Sequence, residues 1–291
     1  MKSIRGAHAL VTGGSRGLGP YIAHALAREG ANLTLTARSA DALRKVAEAV
    51  AAHSVRAHAI AADVSDEGDR HKLLEEAEST LGPVDILVNN AGVELMAPYT
   101  ELPPDRIESI IRINFLAPLM LSRLVLRKMI ERGRGHVVMM SSLGGKKGSP
   151  YSATYAATKA GLIAWTSALR AELEGTAVGV SVICPGFVSE AGMFADRHAR
   201  APWMLGTSTP EAVAGAVLRA VQNDVDEIIV NPGPVRLMLV AETLSPRLAR
   251  WVLRKTGVYD YYRRQAELES SAYAPGESPA GDGDAVGKNG P

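Results

Sequence analysis

The sequence predicts an α/β fold: a doubly wound, seven-stranded parallel sheet with helices on both faces, forming a single domain that continues into a C-terminal helical extension. Two observations predict it. Short apolar runs rich in β-branched residues alternate with longer segments whose apolar positions recur every three to four residues, the pattern of repeated βαβ units. The first of these runs is followed at once by a glycine-rich loop that opens a helix, so the strand-to-helix order is set from the start.

In chain order, strands are expected at residues 7–11, 32–36, 55–61, 86–88, 136–140, 178–183 and 227–230. Helices are expected between them at 18–28, 40–53, 67–81, 105–130, 154–173 and 210–222. Parallel strands must be covered on both faces, and these helices supply the cover. At 291 residues, with 46% hydrophobic and 22% charged residues, the chain can bury one large core or at most two modest ones. A formal net charge of +1 provides no general field for nucleic acid, so no nucleic-acid partner is expected. The single cysteine, Cys184, sits beside Val182 and Ile183 and reads as a buried structural thiol in a reducing compartment. The first residues lack the pattern of a secretory signal, and no uninterrupted apolar run reads as a bilayer span, so a cytoplasmic location is the expectation. No metal is called for.

The loop after the first strand reads Thr12-Gly13-Gly14-Ser15-Arg16-Gly17-Leu18-Gly19, and Leu18, Ile22 and Leu26 share one face of the helix it opens. Glycines let the backbone approach a pyrophosphate, while free N–H groups and the helix dipole attract its charge. Pro20 falls in the first helical turn, where a missing N–H costs little. The second strand ends at Ala37-Arg38 without the acidic residue that would bind an unmodified adenosine ribose. Arg38 and Arg16 can instead grip a ribose 2′-phosphate, which favours NADP (NADPH) over NAD; ordinary solvated loop arginines are the other reading. Asp63, after the third strand, has two roles open, acceptor for the adenine amine or cap of the helix that follows.

Tyr155 and Lys159 are four residues apart in a helical segment, so they project from one face. A neighbouring ammonium is expected to favour the phenolate and bring the tyrosine closer to the working range of a general acid/base. Ser142 ends the strand at 136–140, at the carboxyl edge where such folds bind ligands. The glycine-containing stretch 143–154 is expected to be a loop that folds Tyr155 back toward Ser142, whose hydroxyl would polarise a substrate oxygen.

These motifs together resemble the short-chain dehydrogenase/reductase family over roughly residues 5–235: Thr12-Gly13-x-x-x-Gly17-x-Gly19, Asp63-Val64, Asn89-Asn90-Ala91-Gly92, Asn114, Ser142, Tyr155-x-x-x-Lys159 and Pro185-Gly186, in that order. The resemblance implies a Rossmann-like NAD(P)-binding domain at 1–235 with a substrate lid at about 187–209. It also implies roles. Asn114 would hold a water in a proton relay, Ser142 would orient the carbonyl, Tyr155 would exchange the proton, and Lys159 would bind the nicotinamide ribose. Gly13, Ser15, Arg16, Gly17, Leu18, Gly19, Arg38, Asp63, Val64, Asn90, Ala91, Gly92, Pro185, Gly186, Val188 and Ser189 would line the cofactor, with Tyr155 and Lys159. Ser141 competes for the serine role, and Ser189 stands where the family commonly has threonine, its hydroxyl available to the cofactor carboxamide. A homodimer or homotetramer is implied, with the helices carrying Asn114 and Tyr155 at an interface.

The expected function is hydride transfer between NADP and a carbonyl or secondary alcohol in a small, apolar molecule. A ketoacyl-thioester reductase is the enzymatic alternative, and a non-catalytic nucleotide-binding regulator is the alternative from another class. Met193, Phe194, Trp203, Met204 and Leu205 in the lid fit either a greasy substrate or packing on the protein itself. Lys146 and Lys147 are either a solvated pair or a receiver for an anionic carrier. The extension at 236–269 mixes Leu, Trp, Tyr and Arg; its segment 247–255 can pack on protein or make peripheral membrane contact. Residues 270–291, rich in Pro, Gly, Ser and Asp, are expected to be a disordered tail.

Overall fold

In the computed structural model, which describes residues 1–271 except 198, 203 and 204, β1 (His8–Thr12) is buried at every position because it lies in mid-sheet. It pairs in parallel with β2 (Asn32–Ala37) on one side and β4 (Ile86–Asn89) on the other, with Leu10 opposite both Thr34 and Leu87. With β3 (Ala57–Ala61), β5 (Gly135–Met140), β6 (Val178–Pro185) and β7 (Glu227–Val230) the sheet runs β3-β2-β1-β4-β5-β6-β7, parallel throughout. Chain progression reverses between β1 and β4, which opens a crevice at their carboxyl ends.

Alternation along β1 feeds two cores. Ala9 and Val11 join α1 (Leu18–Arg28), α2 (Ala40–Ala51) and α9 (Pro210–Asn223) on one face. Leu10 joins α3 (Glu67–Leu81), α5 (Ala117–Arg132) and α7 (Ala153–Glu172) on the other. Each fully buried leucine here contributes about 1.5–3 kcal/mol, which is what fixes the layers around the crevice. Cys184 lies in this second core, its thiol pushed up to about 12 by burial, as an inert structural group.

Three expectations are corrected. The single helix expected at 105–130 is α4 (Pro104–Ile111), a π-helical turn (Arg112–Leu116) and α5. The Ala117 N–H reaches back five residues to the Arg112 carbonyl. Pro118 has no N–H to give the Asn114 carbonyl four residues behind it, so the regular ladder cannot pass. Second, the continuous run Pro104–Arg132 is long and apolar enough to cross a membrane by length and composition, although none was expected. Its Leu121, Val125 and Met129 instead fill the second core. Third, the stretch 143–154 is not all loop, because Ser142 caps a short helix, α6 (Leu143–Lys146).

After β6 come α8 (Met193–Asp196) within the lid and, beyond β7, α10 (Val235–Leu244), α11 (Pro246–Lys255) and α12 (Val258–Ser271). Trp203 and Met204, and all but the first two residues of the expected tail, lie outside the described residues.

Candidate active site

The glycine loop is tied to the end of β4 by side chains. Thr12 Oγ1 accepts from the N–H groups of Asn90 and Ala91, each at 3.0 Å. Asn90 Nδ2 donates to the carbonyls of Thr12 at 3.0 Å and Gly13 at 3.2 Å. The two segments approach so closely that a Cβ at Gly13 would lie 2.9 Å from Ala91 Cα, and one at Gly19 would lie 2.1 Å from the Gly13 carbonyl. Gly13 and Gly17 also hold φ of 66° and 61°, in the left-handed region.

A cleft of about 820 Å³ opens over this edge of the sheet. Gly13, Ser15, Arg16, Gly17, Leu18, Arg38, Asp63, Val64, Asn90, Ala91, Gly92, Ser142, Tyr155, Lys159, Pro185, Gly186 and Val188 all line it, though they are scattered over 176 positions of sequence. Gly19 and Asn114 stand behind the wall as supports, and Ser189 does not line it. The Ser189 hydroxyl donates to the Ser208 carbonyl at 3.2 Å, a bond that directs it into the lid rather than toward a ligand. Of the two roles open for Asp63, capping falls to Asp66, whose carboxylate accepts from Asp69 N–H. Asp63 itself accepts from the N–H and hydroxyl of Ser65 and faces the cleft.

The chemistry-bearing residues meet at the ends of β4 and β5. Tyr155 and the Ser142 side chain stand together, both within van der Waals reach of a Cβ placed at Gly144, and the hydroxyl favours the phenolate. Ser142 Oγ accepts from Gly144 N–H at 3.0 Å. The competing Ser141 is spent on structure, donating to the Lys159 carbonyl at 2.8 Å, so Ser142 is the hydroxyl beside Tyr155. The Lys159 ammonium lies 5.5 Å from the Tyr155 ring centroid and donates to the Met140 carbonyl at 2.8 Å. Asn114 is fully buried in the π-helical turn, and its carboxamide clamps Val93, accepting from its N–H at 2.8 Å and donating to its carbonyl at 2.7 Å. A Cβ at Gly92 would stand 3.3 Å from Asn114 Oδ1 and 3.5 Å from Lys159 Nζ, so a side chain there would press on the point where these groups converge.

The electrostatics correct the expected tuning. Burial pushes the Tyr155 phenol well above its ordinary value, and Glu94 adds to the rise, while the Ser142 hydroxyl opposes it. Burial also brings Lys159 down to about 8, against the pull of Glu94. Desolvation is therefore the largest influence on both groups, and the phenol is held in its protonated form.

Sequence reasoning missed several participants. Arg197 in the lid bridges Glu94, at 2.9 Å, and Glu269 of α12. Glu94 also accepts from Ser152 Oγ at 2.6 Å, and Glu269 from Met96 N–H at 2.7 Å. Tyr262 stands in the wall, accepting from Ser149 Oγ at 3.3 Å. No local pattern marks these contacts, since their partners are up to 173 residues apart. Lys146 and Lys147 are ion-paired to Glu227 and Glu242, so neither reading made for them as a solvated pair or an anion receiver describes their partners. Phe194 packs on Phe187 with ring centroids 4.8 Å apart, while Met193 and Leu205 line the cleft.

The residues present fit a nicotinamide dinucleotide. The N-terminus of α1 has no side-chain cap at Gly17, which leaves its N–H groups facing the cleft for phosphate. Two buried oxygens on cleft-lining residues, Thr36 Oγ1 and Asn231 Oδ1, have no partner among the described residues and suit a polar ligand.

The family described as short chain dehydrogenase matches residues 7–201. The ketoacyl reductase HetN of Nostoc sp. strain PCC 7120 is 43% identical over 272 residues, covering 92% of this chain and 95% of that protein. Dehydrogenase/reductase SDR family member 7B of Bos taurus is 31% identical over 265 residues, covering 84% and 79%. Among solved structures, a variant actinorhodin polyketide ketoreductase with NADPH superposes with a TM-score of 0.71 at 30% identity, covering 77% of this chain and 95% of that one.

Proposed function

The chain belongs to the short-chain dehydrogenase family and is an NAD(P)-dependent oxidoreductase, and on that premise we propose that it reduces a carbonyl on an apolar substrate with NADPH. The observation that carries this is the placing of the Tyr155 phenol by the Ser142 side chain and the Lys159 ammonium, inside the cleft that the glycine loop opens. When bound, the nicotinamide supplies the hydride. Ser142 holds the substrate oxygen, and Tyr155, kept protonated by burial, donates its proton to that oxygen as charge develops there. Lys159 fixes the ribose and stabilises the phenolate left behind. Asn114 positions the Val93 main chain that borders the site. Gly13, Ser15, Gly17 and Leu18 cradle the pyrophosphate, while Arg16 and Arg38 take the 2′-phosphate.

The far end of the cleft is apolar, with Met238, Leu239, Val252 and Leu253 in its wall, and it suits a hydrocarbon chain. A ketoacyl thioester is the second reading, favoured by the name and coverage of the Nostoc relative. Homo-oligomerisation through α4, α5 and α7 is part of the proposal, supported by exposed Ile111, Leu116 and Met120 on that face.

The test is NADPH oxidation across a panel of ketones and ketoacyl thioesters, in the wild type and in Tyr155→Phe. Tyr155→Phe is expected to lose roughly 10²–10⁴-fold in kcat while still binding NADPH. Undiminished turnover by that variant would overturn the assignment, and tight NADPH binding with no turnover of any substrate would point to a regulator.

A further inference from the structure

We infer that the hairpin of α10 and α11 docks this protein on an anionic lipid surface. Each helix has 10 residues, a length of ~15 Å, so neither crosses a bilayer and both lie in its plane. Leu237, Val240 and Leu244 stand at i, i+3 and i+7 on α10, exposed by 74%, 57% and 81%, and Trp251 on α11 by 57%. Side chains of that size left in water on one short hairpin are what an acyl boundary covers.

The charge is complementary. Arg236, Arg247, Arg250, Arg254 and Lys255 are all exposed, and Arg247, Arg250 and Arg254 form a stripe one position round the helix from Trp251. The hairpin's one carboxylate, Glu242, is ion-paired to Lys147 at 2.8 Å. Guanidinium groups beside leucine and tryptophan match the depth profile of a bilayer interface, with phosphates outside and acyl chains within. A second copy of the chain fits worse, because a two-fold contact would set these cations against one another. The inner side of the same hairpin contributes Met238, Leu239 and Val252 to the cleft, so the docked protein turns the apolar end of its cleft toward the lipid.

The experiment is sedimentation of the full chain with vesicles of phosphatidylcholine alone or with one third phosphatidylglycerol, and it needs no turnover, so it fails or succeeds apart from the reductase reading. Binding is expected to be at least about tenfold stronger to the anionic vesicles and to weaken with salt. Leu244→Ser with Trp251→Ser, and separately Arg247→Gln with Arg250→Gln, are each expected to reduce it by about tenfold. NADPH binding, unchanged in all variants, shows that they fold. Equal sedimentation with both vesicle types, or binding indifferent to both pairs of substitutions, overturns the proposal. So does self-association in solution that the same substitutions abolish while vesicles stay unbound, which would make the face a protein interface.

Discussion

Arg197 of the lid and Glu94, five residues beyond the end of β4, form an ion pair at 2.9 Å with side chains only 13% and 9% exposed. Glu269 completes a triad with them, and so locks α12 against both the lid and the segment that Asn114 clamps. Burial alone would lower the guanidinium's affinity for its proton; Glu94 and Glu269 more than reverse that.

Arg197→Leu leaves two carboxylates facing each other without their cation. A loss of about 2–4 kcal/mol in urea unfolding is expected, toward the range for breaking a buried pair. Substrate KM is expected to rise while NADPH affinity holds, because the lid and α12 border the substrate end of the cleft. Unchanged stability and KM would show the triad to be incidental.

Gly145→Ala tests the contact between α6 and α7. Its new Cβ would lie 2.6 Å from the Lys159 carbonyl carbon, a main-chain atom that cannot swing aside. We expect ~1–3 kcal/mol of destabilisation. A displacement of Tyr155 and Lys159 from Ser142 should also cost kcat up to about 10²-fold, more than it changes KM for NADPH. Steady-state kinetics separate the two parameters.

The pH dependence of stability follows from Lys159. Folded, it titrates at about 8, lowered by burial from the 10.5 of a free lysine. Between those values the unfolded chain binds the proton and the folded one does not, so this group makes stability rise with pH across that window. Below about 8 both states carry the charge, and its burial cost is felt in full. Lys159→Met should therefore stabilise the cofactor-free protein at neutral pH by up to about 3 kcal/mol, an advantage that fades above about pH 10. Urea unfolding of both proteins at neutral and alkaline pH reads the difference directly.

Arg38→Asp addresses cofactor choice. Replacing the guanidinium by a carboxylate at the lip of β2 should raise KM for NADPH by about ten- to a hundredfold, with little penalty for NADH. The ratio of kcat/KM for the two cofactors is the measurement. A wild-type enzyme that uses NADH as well as NADPH would refute the role given to Arg16 and Arg38.

The strand ladder and the glycine loop were legible in the sequence because their causes are local. Period-two and period-3.6 patterns and a run of glycines declare a strand, a helix and a tight turn without help from distant residues. Helix spacing likewise put Tyr155 and Lys159 on one face of α7. The π-helical turn at Asn114 had a local cause too, Pro118, but its consequence, a carboxamide turned onto Val93, depends on how α4 and α5 pack.

What the sequence by itself determined was the order of the elements and the kind of chemistry they carry. Only the tertiary structure decided the protonation of the site and its closure. The choice of Ser142 was already made in the sequence; what folding adds is that the Ser141 hydroxyl is taken up by the Lys159 carbonyl. The phenol is held protonated because folding removes it from water, and Glu94, Arg197 and Glu269 meet although Glu94 and Glu269 are 175 positions apart in the chain. Desolvation and long-range ion pairing exist only once the chain has folded, so no local pattern can announce them.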